Sequence, residues 1–155
     1  MFVLLRQLAR VRRDAALAPA ARSRSLALRH VDAGSCNGCE HELGLVTSPR
    51  YDLQRFGLDI VASPRHADVL LITGAVTTRM AGALLIAYQA MPEPRLVAAL
   101  GDCALGHGIL GDPAELAGPL EHLLPVDIRI PGCPPSPAAI AEHLSVALER
   151  RELSQ

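Results

Sequence analysis

The chain has 155 residues, of which 50% are hydrophobic and 3% are aromatic, and its formal net charge is −1. This length suits one domain with a substantial core, and the hydrophobic content excludes an intrinsically disordered chain. A net charge this close to zero gives no basis for nucleic-acid binding. No stretch approaches the roughly 18 apolar residues that a membrane-spanning helix needs.

Residues 1–24 are predicted to form an amphipathic helix and a linker, followed by a single domain over residues 25–155. Leu4 and Leu8 recur at helical spacing, whereas Arg6 and Arg10 interrupt the apolar stretch that a signal peptide would require. The helix either folds onto its own domain or docks on a membrane or a membrane-bound partner through its basic face.

The rest of the chain alternates predicted strands and helices. The segment DVLLIT reads as a buried strand, and the Met91–Pro94 segment (MPEP) ends the helix before it. Continuous apolar strands separated by helices predict an α/β fold, three-layered and doubly wound around a parallel sheet. The predicted strands are Leu26–Val31, Asp59–Ala62, Asp68–Thr73, Arg95–Leu100 and Val126–Ile130, and the predicted helices are Cys39–Val46, Thr78–Ala90 and Ser136–Arg150.

The four cysteines all follow predicted strands. Cys36 and Cys39 come after the first strand, Cys103 follows the strand that ends near Leu100, and Cys133 follows the last one. Because the carboxyl ends of parallel strands share one edge of the sheet, we expect the four thiols to converge there. Without secretory features, metal binding is favoured over disulfide pairing.

The spacing favours an iron–sulfur cluster over zinc. Zinc ribbons usually contain two CxxC pairs, whereas here one CxxC pair joins two isolated cysteines. Glycines flank the cysteines and would let backbone N–H groups approach the sulfides of a cluster. Zinc and unliganded thiols remain the alternatives at this point.

Short motifs from Val31 to Leu148, in collinear order, carry a specific resemblance. They are CNGCE from Cys36, RFG from Arg55, SPRHAD from Ser63, TGAVT from Thr73, MPEP from Met91, GDC from Gly101 and PGCPP from Pro131. In these motifs the chain resembles the small subunit of membrane-bound, energy-converting (group 4) [NiFe] hydrogenases. The same family includes the 20 kDa B subunit of respiratory complex I.

The resemblance implies a flavodoxin-like fold with one [4Fe–4S] cluster at the carboxyl edge of the sheet. The implied ligands are Cys36, Cys39, Cys103 and Cys133, and no catalytic residue is expected in this chain. It would be a subunit of an oxidoreductase complex, relaying electrons between a large-subunit active site and a ferredoxin-like subunit that carries [4Fe–4S] clusters. Membrane-embedded ion-pumping subunits are implied partners, and the chain is expected at the cytoplasmic side of the inner membrane as a peripheral subunit.

The spaced pair Cys36-x-x-Cys39 favours the hydrogenase branch, since complex I subunits typically carry adjacent cysteines at this place. The alternative is the same relay in a nickel-free, complex I-like quinone or ferredoxin oxidoreductase. A zinc-stabilised docking module is a third reading.

Four further residues are predicted to support the cluster or to relay protons. Glu42 is similar to a family glutamate near the cluster, and the resemblance places Arg65 and His66 near the large-subunit interface. His107 follows Cys103 closely enough to donate a hydrogen bond to a sulfide. For each residue, the alternative is an ordinary polar surface role.

Overall fold

The computed structural model describes residues 25–109 and 111–153, so the predicted N-terminal helix and linker lie outside the described residues. The domain alternates strands and helices around one parallel sheet. None of the helices that the structure describes is long and apolar enough to cross a membrane. In chain order the elements are β1 (Leu26–Asp32), α1 (Gly38–Val46), β2 (Leu58–Ile60), β3 (Val69–Thr73), α2 (Thr78–Gln89), β4 (Leu96–Leu100), β5 (Ile128–Ile130) and α3 (Pro137–Leu153).

The sheet has five parallel strands in the order β2-β1-β3-β4-β5. This is the flavodoxin-like order, in which the chain winds first to one side of β1 and then to the other. The central strand β3 is buried over its whole length, because it has a neighbour on each side and a covering layer on each face. The predicted doubly wound α/β fold is confirmed.

The two faces of the sheet have separate hydrophobic cores, since alternate residues of each strand point to opposite faces. Leu71 of β3 packs on the first face together with Leu43 of α1 and Leu144 of α3. Leu70 of β3 packs on the second face with Leu84 of α2. The three layers are therefore α1 and α3, the sheet, and α2 with the loops beside it.

No helix is predicted in two of the strand-to-strand connections. Within the described residues, the β2–β3 and β4–β5 connections contain short 3₁₀ turns and no α-helix. The first is too short for a helix and contains Pro64, and the second is interrupted by several glycines and prolines. The 3₁₀ turns in these two connections are Pro64–His66, Pro113–Glu115 and Leu120–His122. A further 3₁₀ turn, Leu53–Phe56, lies between α1 and β2.

Candidate metal centre

The four cysteines lie just beyond the carboxyl ends of three strands. Cys36 is in the loop after β1, Cys39 is in the first turn of α1, Cys103 follows β4, and Cys133 follows β5. Cys36 and Cys133 are exposed, whereas Cys39 and Cys103 are half-buried, and none forms a disulfide. The predicted common edge is therefore present, with an outer pair (Cys36 and Cys133) and an inner pair (Cys39 and Cys103).

The sulfur of Cys39 packs against the backbone of the loop after β4. A Cβ atom placed on Gly101 would lie 2.6 Å from Sγ of Cys39, and Gly101 has a φ of +88°. Only glycine meets both conditions without strain, because it has no Cβ and tolerates positive φ. A Cβ on Gly108 would likewise overlap Sγ of Cys103. The inner thiols thus occupy space that the glycines leave open.

The four thiols share one electrostatic environment. Burial, the Glu40 carboxylate and the thiols of Cys103, Cys36 and Cys133 together raise the pKa of Cys39 to about 12, and burial contributes most. The free thiol therefore keeps its proton at neutral pH, and a bound metal must displace that proton. Positive charge supplied by iron or another metal would relieve the repulsion among four thiolates.

The loop that carries Cys36 is held in a tight turn. Oδ1 of Asp32 accepts hydrogen bonds from the backbone N–H groups of Gly34 and Ser35, each at 2.8 Å. A Cβ on Gly34 would lie 2.7 Å from the carbonyl oxygen of Ala75, so this loop also packs closely on the loop after β3. The loop that carries Cys36 is therefore held by the Asp32 carboxylate and by close packing on the loop after β3.

Asp102 joins the loops that carry Cys103 and Cys133. Its Oδ1 accepts a hydrogen bond from the backbone N–H of Gly132 at 2.7 Å, and its own N–H donates to the carbonyl of Gly132 at 2.9 Å. This two-point contact sets the spacing of the two loops.

A hydrogen-bonded chain of three side chains lies next to Cys39. Oγ1 of Thr73 donates to Oε1 of Glu40, and Nε2 of His30 lies 2.9 Å from the same hydroxyl oxygen. Thr73 is completely buried, and the pKa of His30 is lowered by burial. Sequence reasoning assigned no role to these residues. The one signal that could have drawn attention to the chain was a threonine at the end of the otherwise apolar strand β3.

The four residues predicted to support the cluster lie on three different parts of the fold. Glu42 is half-buried on α1, and Arg65 and His66 are exposed in the turn before β3. His107 is exposed, and it lines a cavity of about 110 Å³ together with Arg129 and four other residues. Their predicted roles stay predictions.

The donor set fits an iron–sulfur cluster in its chemistry. The four cysteines come from three separate connections at one edge of the sheet, and soft thiolate ligands suit iron–sulfur clusters. Across residues 25–109 and 111–153, no three or more His, Cys, Asp or Glu side chains are grouped so that they could hold a metal ion.

Residues 36–147 match the family described as the 20 kDa subunit of NADH ubiquinone oxidoreductase. The chain belongs to this family. The match begins at Cys36 and contains all four cysteines, so the resemblance seen in the motifs is confirmed.

Two relatives of this family member have names that describe their complexes. A probable membrane-bound hydrogenase subunit (mbhJ) of Pyrococcus furiosus is 44% identical over 78% of this chain and 72% of its own length. Formate hydrogenlyase subunit 7 of Escherichia coli is 46% identical over 81% of this chain. The chain spans 49% of the length of the second relative. The family and the first relative confirm the prediction of an oxidoreductase subunit.

Solved structures resemble the domain as well. A chain of the archaeal membrane-bound sulfane sulfur reductase has a TM-score of 0.71 and 36% identity, with 83% of this chain and 71% of that chain covered. A chain of an NAD+-reducing [NiFe]-hydrogenase has a TM-score of 0.64 and 20% identity, with 81% and 92% covered. At that identity the second likeness shows the fold alone, and it agrees with the three-layered architecture.

Proposed function

We propose that this chain is the electron-transfer small subunit of a membrane-bound [NiFe] hydrogenase of the energy-converting type. In this proposal Cys36, Cys39, Cys103 and Cys133 bind one [4Fe–4S] cluster. The observation that carries the proposal is the placement of all four cysteines just beyond the carboxyl ends of three strands at one sheet edge, within the part of the chain that matches the family. Four thiolates from separate connections suit an iron–sulfur cluster.

Each part of the edge has a definite task in this proposal. A bound [4Fe–4S] cluster would supply reversible one-electron transfer. Gly101 and Gly108 leave room for the inner sulfurs, and Asp102 holds the last two loops at a fixed spacing. The outer pair is exposed on this chain, so a large subunit that docks at this edge would exclude water from the cluster.

The expected partners are a hydrogenase-like large subunit, a ferredoxin-like subunit and membrane-embedded ion-pumping subunits. The names of two neighbours support a membrane complex, since one is a membrane-bound hydrogenase subunit and the other a membrane-bound reductase. In this arrangement the chain is a peripheral subunit at the cytoplasmic side of the inner membrane.

The second candidate is the same relay in a nickel-free, complex I-like oxidoreductase. The likeness to the sulfane sulfur reductase favours it, because that chain shares 36% identity with a TM-score of 0.71. The spaced pair Cys36-x-x-Cys39 and the 44% identity to a hydrogenase subunit favour the hydrogenase. The metal content of the large subunit separates the two candidates.

The test is an anaerobic purification of the whole complex through a tag on this chain, followed by measurement of iron, acid-labile sulfide, nickel and zinc. We expect abundant iron and sulfide with stoichiometric nickel. A matched complex with Cys103→Ser should lose the iron and sulfide assigned to this chain while keeping the nickel. Iron without nickel would select the second candidate, and zinc without iron would contradict both and favour a zinc-stabilised docking module.

A further inference from the structure

We propose that Glu40 sets the reduction potential of the cluster, because its carboxylate is held beside Cys39 by Thr73 and places a negative charge against the cluster. The inference rests on the proposed function, since it needs a cluster at the four cysteines. It concerns a residue that is neither a ligand nor one of the four predicted supporting residues.

The position of the carboxylate is fixed by the polar chain next to Cys39. Thr73 is completely buried and can direct its hydroxyl proton to Oε1 of Glu40, while its oxygen accepts from Nε2–H of His30 at 2.9 Å. A carboxylate can only accept hydrogen bonds, so the donors run in one direction and end on Glu40. The charge therefore has a defined place in the fold rather than a mobile one in solvent.

The charge of Glu40 is little screened. Its side chain is 21% exposed, and its Oε2 is buried without a hydrogen-bond partner in the described part of the chain. His30, whose Nε2 lies 3.7 Å from Oε1 of Glu40, is the nearest potential counter-charge. Burial lowers the pKa of His30, so at neutral pH its imidazole is uncharged and does not neutralise the carboxylate.

Glu40 follows Cys39 directly in the first turn of α1, so its carboxylate belongs to the same helical turn as a proposed ligand. A fixed and poorly screened negative charge in that turn opposes an added electron on a cluster bound to Cys39. Glu40 should thus stabilise the oxidised state and lower the reduction potential.

The experiment is a potentiometric titration of the whole complex, with the cluster of this chain followed by electron paramagnetic resonance at one fixed pH. Glu40→Gln removes the charge and keeps the size of the side chain. We expect reduction to become easier by about tenfold in the equilibrium constant, which is about 59 mV for a one-electron couple. Glu40→Asp, which keeps the charge, should shift the potential less than Glu40→Gln.

Glu149→Gln is the matched control, because Glu149 is exposed far along α3. It removes the same charge and should leave the potential unchanged. An unchanged potential in Glu40→Gln, or equal shifts in Glu40→Gln and Glu149→Gln, would overturn the inference. Iron and sulfide are measured in every sample, so a wild-type complex without a cluster on this chain contradicts the proposed function instead.

A second pair of variants covers the case in which Glu40→Gln fails to assemble a cluster. Thr73→Ser keeps the hydroxyl that holds Glu40, whereas Thr73→Val removes it without a change in size. We then expect Thr73→Ser to keep the wild-type potential and Thr73→Val to change it. Equal potentials in these two variants would contradict the inference.

Discussion

The inner and outer cysteine pairs are held in different ways. Cys39 and Cys103 are half-buried, and their sulfurs pack where a Cβ on Gly101 or Gly108 would otherwise lie. Cys36 and Cys133 are exposed on the rim of the same edge. The inner pair is therefore fixed by the packing of this domain, whereas the outer pair relies on loop conformation and on whatever covers the rim.

This difference separates two demands on a redox site. The inner pair would hold the proposed cluster in a fixed position, and a fixed environment is needed for a well-defined reduction potential. In the proposed complex, the exposed outer pair would leave a side of the cluster open for electron transfer to a neighbouring subunit. Four predictions test whether the two pairs differ in this way, from the largest expected effect to the smallest.

The largest effect is expected from removal of single thiols. Cys39→Ala should abolish the proposed cluster, because the lost sulfur is half-buried and packed against Gly101. Cys133→Ala should lose the cluster too, yet a small added thiol should restore part of the iron, since this position is exposed. The loss of the cluster and its rescue are measured by the iron content and the electron paramagnetic resonance signal of the purified complex. Equal rescue in the two variants would contradict the division into inner and outer pairs.

Gly101→Ala should have the second-largest effect on cluster content and thermal stability. The new Cβ would lie 2.6 Å from Sγ of Cys39 at a φ of +88°, and a residue forced into such a conformation costs about 1–3 kcal/mol. We expect a lower thermal midpoint of the complex and a substoichiometric cluster. Gly82→Ala is the control, since Gly82 is helical and has nothing within 4 Å of the added atom. It should leave the cluster intact and stabilise the domain by about 0.5–1 kcal/mol.

Variants of Asp102 test the link between the loop of Cys103, an inner cysteine, and the loop of Cys133, an outer one. Asp102→Ala removes the acceptor for the N–H of Gly132, which should cost about 1–3 kcal/mol. Asp102→Asn keeps an acceptor oxygen and should retain most of that stability. Thermal midpoints and rates of iron loss to a chelator report the difference. If the Ala and Asn variants lose iron equally fast, Asp102 does not hold the loops through this hydrogen bond.

His30 gives the smallest effect, and it depends on pH. Burial lowers the folded-state pKa of His30 below 6.5, so the unfolded chain binds the proton first as the pH falls. His30 should therefore destabilise the fold progressively below pH 6.5 and have no such effect above it. Glu40 and Asp32 oppose this shift, and Arg29 adds to it.

The check is the thermal midpoint of the complex above and below that pH, for the wild type and for His30→Gln. On acidification, the thermal midpoint of the wild type should fall more than that of His30→Gln. A constant difference would mean that the protonation of His30 is not linked to folding.

Much of the fold could be predicted because its signals are local. Apolar runs define the strands, and MPEP marks the end of α2 closely. The edge strands β2 and β5 have three residues each, which is fewer than predicted. Each pairs with a single neighbouring strand, so fewer backbone hydrogen bonds define its length than in a central strand. The convergence of the cysteines followed from strand direction alone.

The polar surroundings of the site could not be predicted in the same way. The contact of His30 with Thr73 spans 43 positions and depends on how β1 and β3 pair, which hydrophobic spacing does not define. Asp102 and Gly132 meet across two loops whose conformations come from several glycines with positive φ. Such contacts depend on tertiary structure, so motif and periodicity alone miss them.

The order of the strands also has a consequence for biosynthesis. Cys133 follows β5, which pairs with β4 and is the last strand in chain order among the described residues. A nascent chain therefore presents three of the four thiols well before the fourth can take its place. The proposed cluster can gain its fourth ligand only after β5 has been synthesised, so a chain truncated before β5 should fail to retain iron even though its first three cysteines are present.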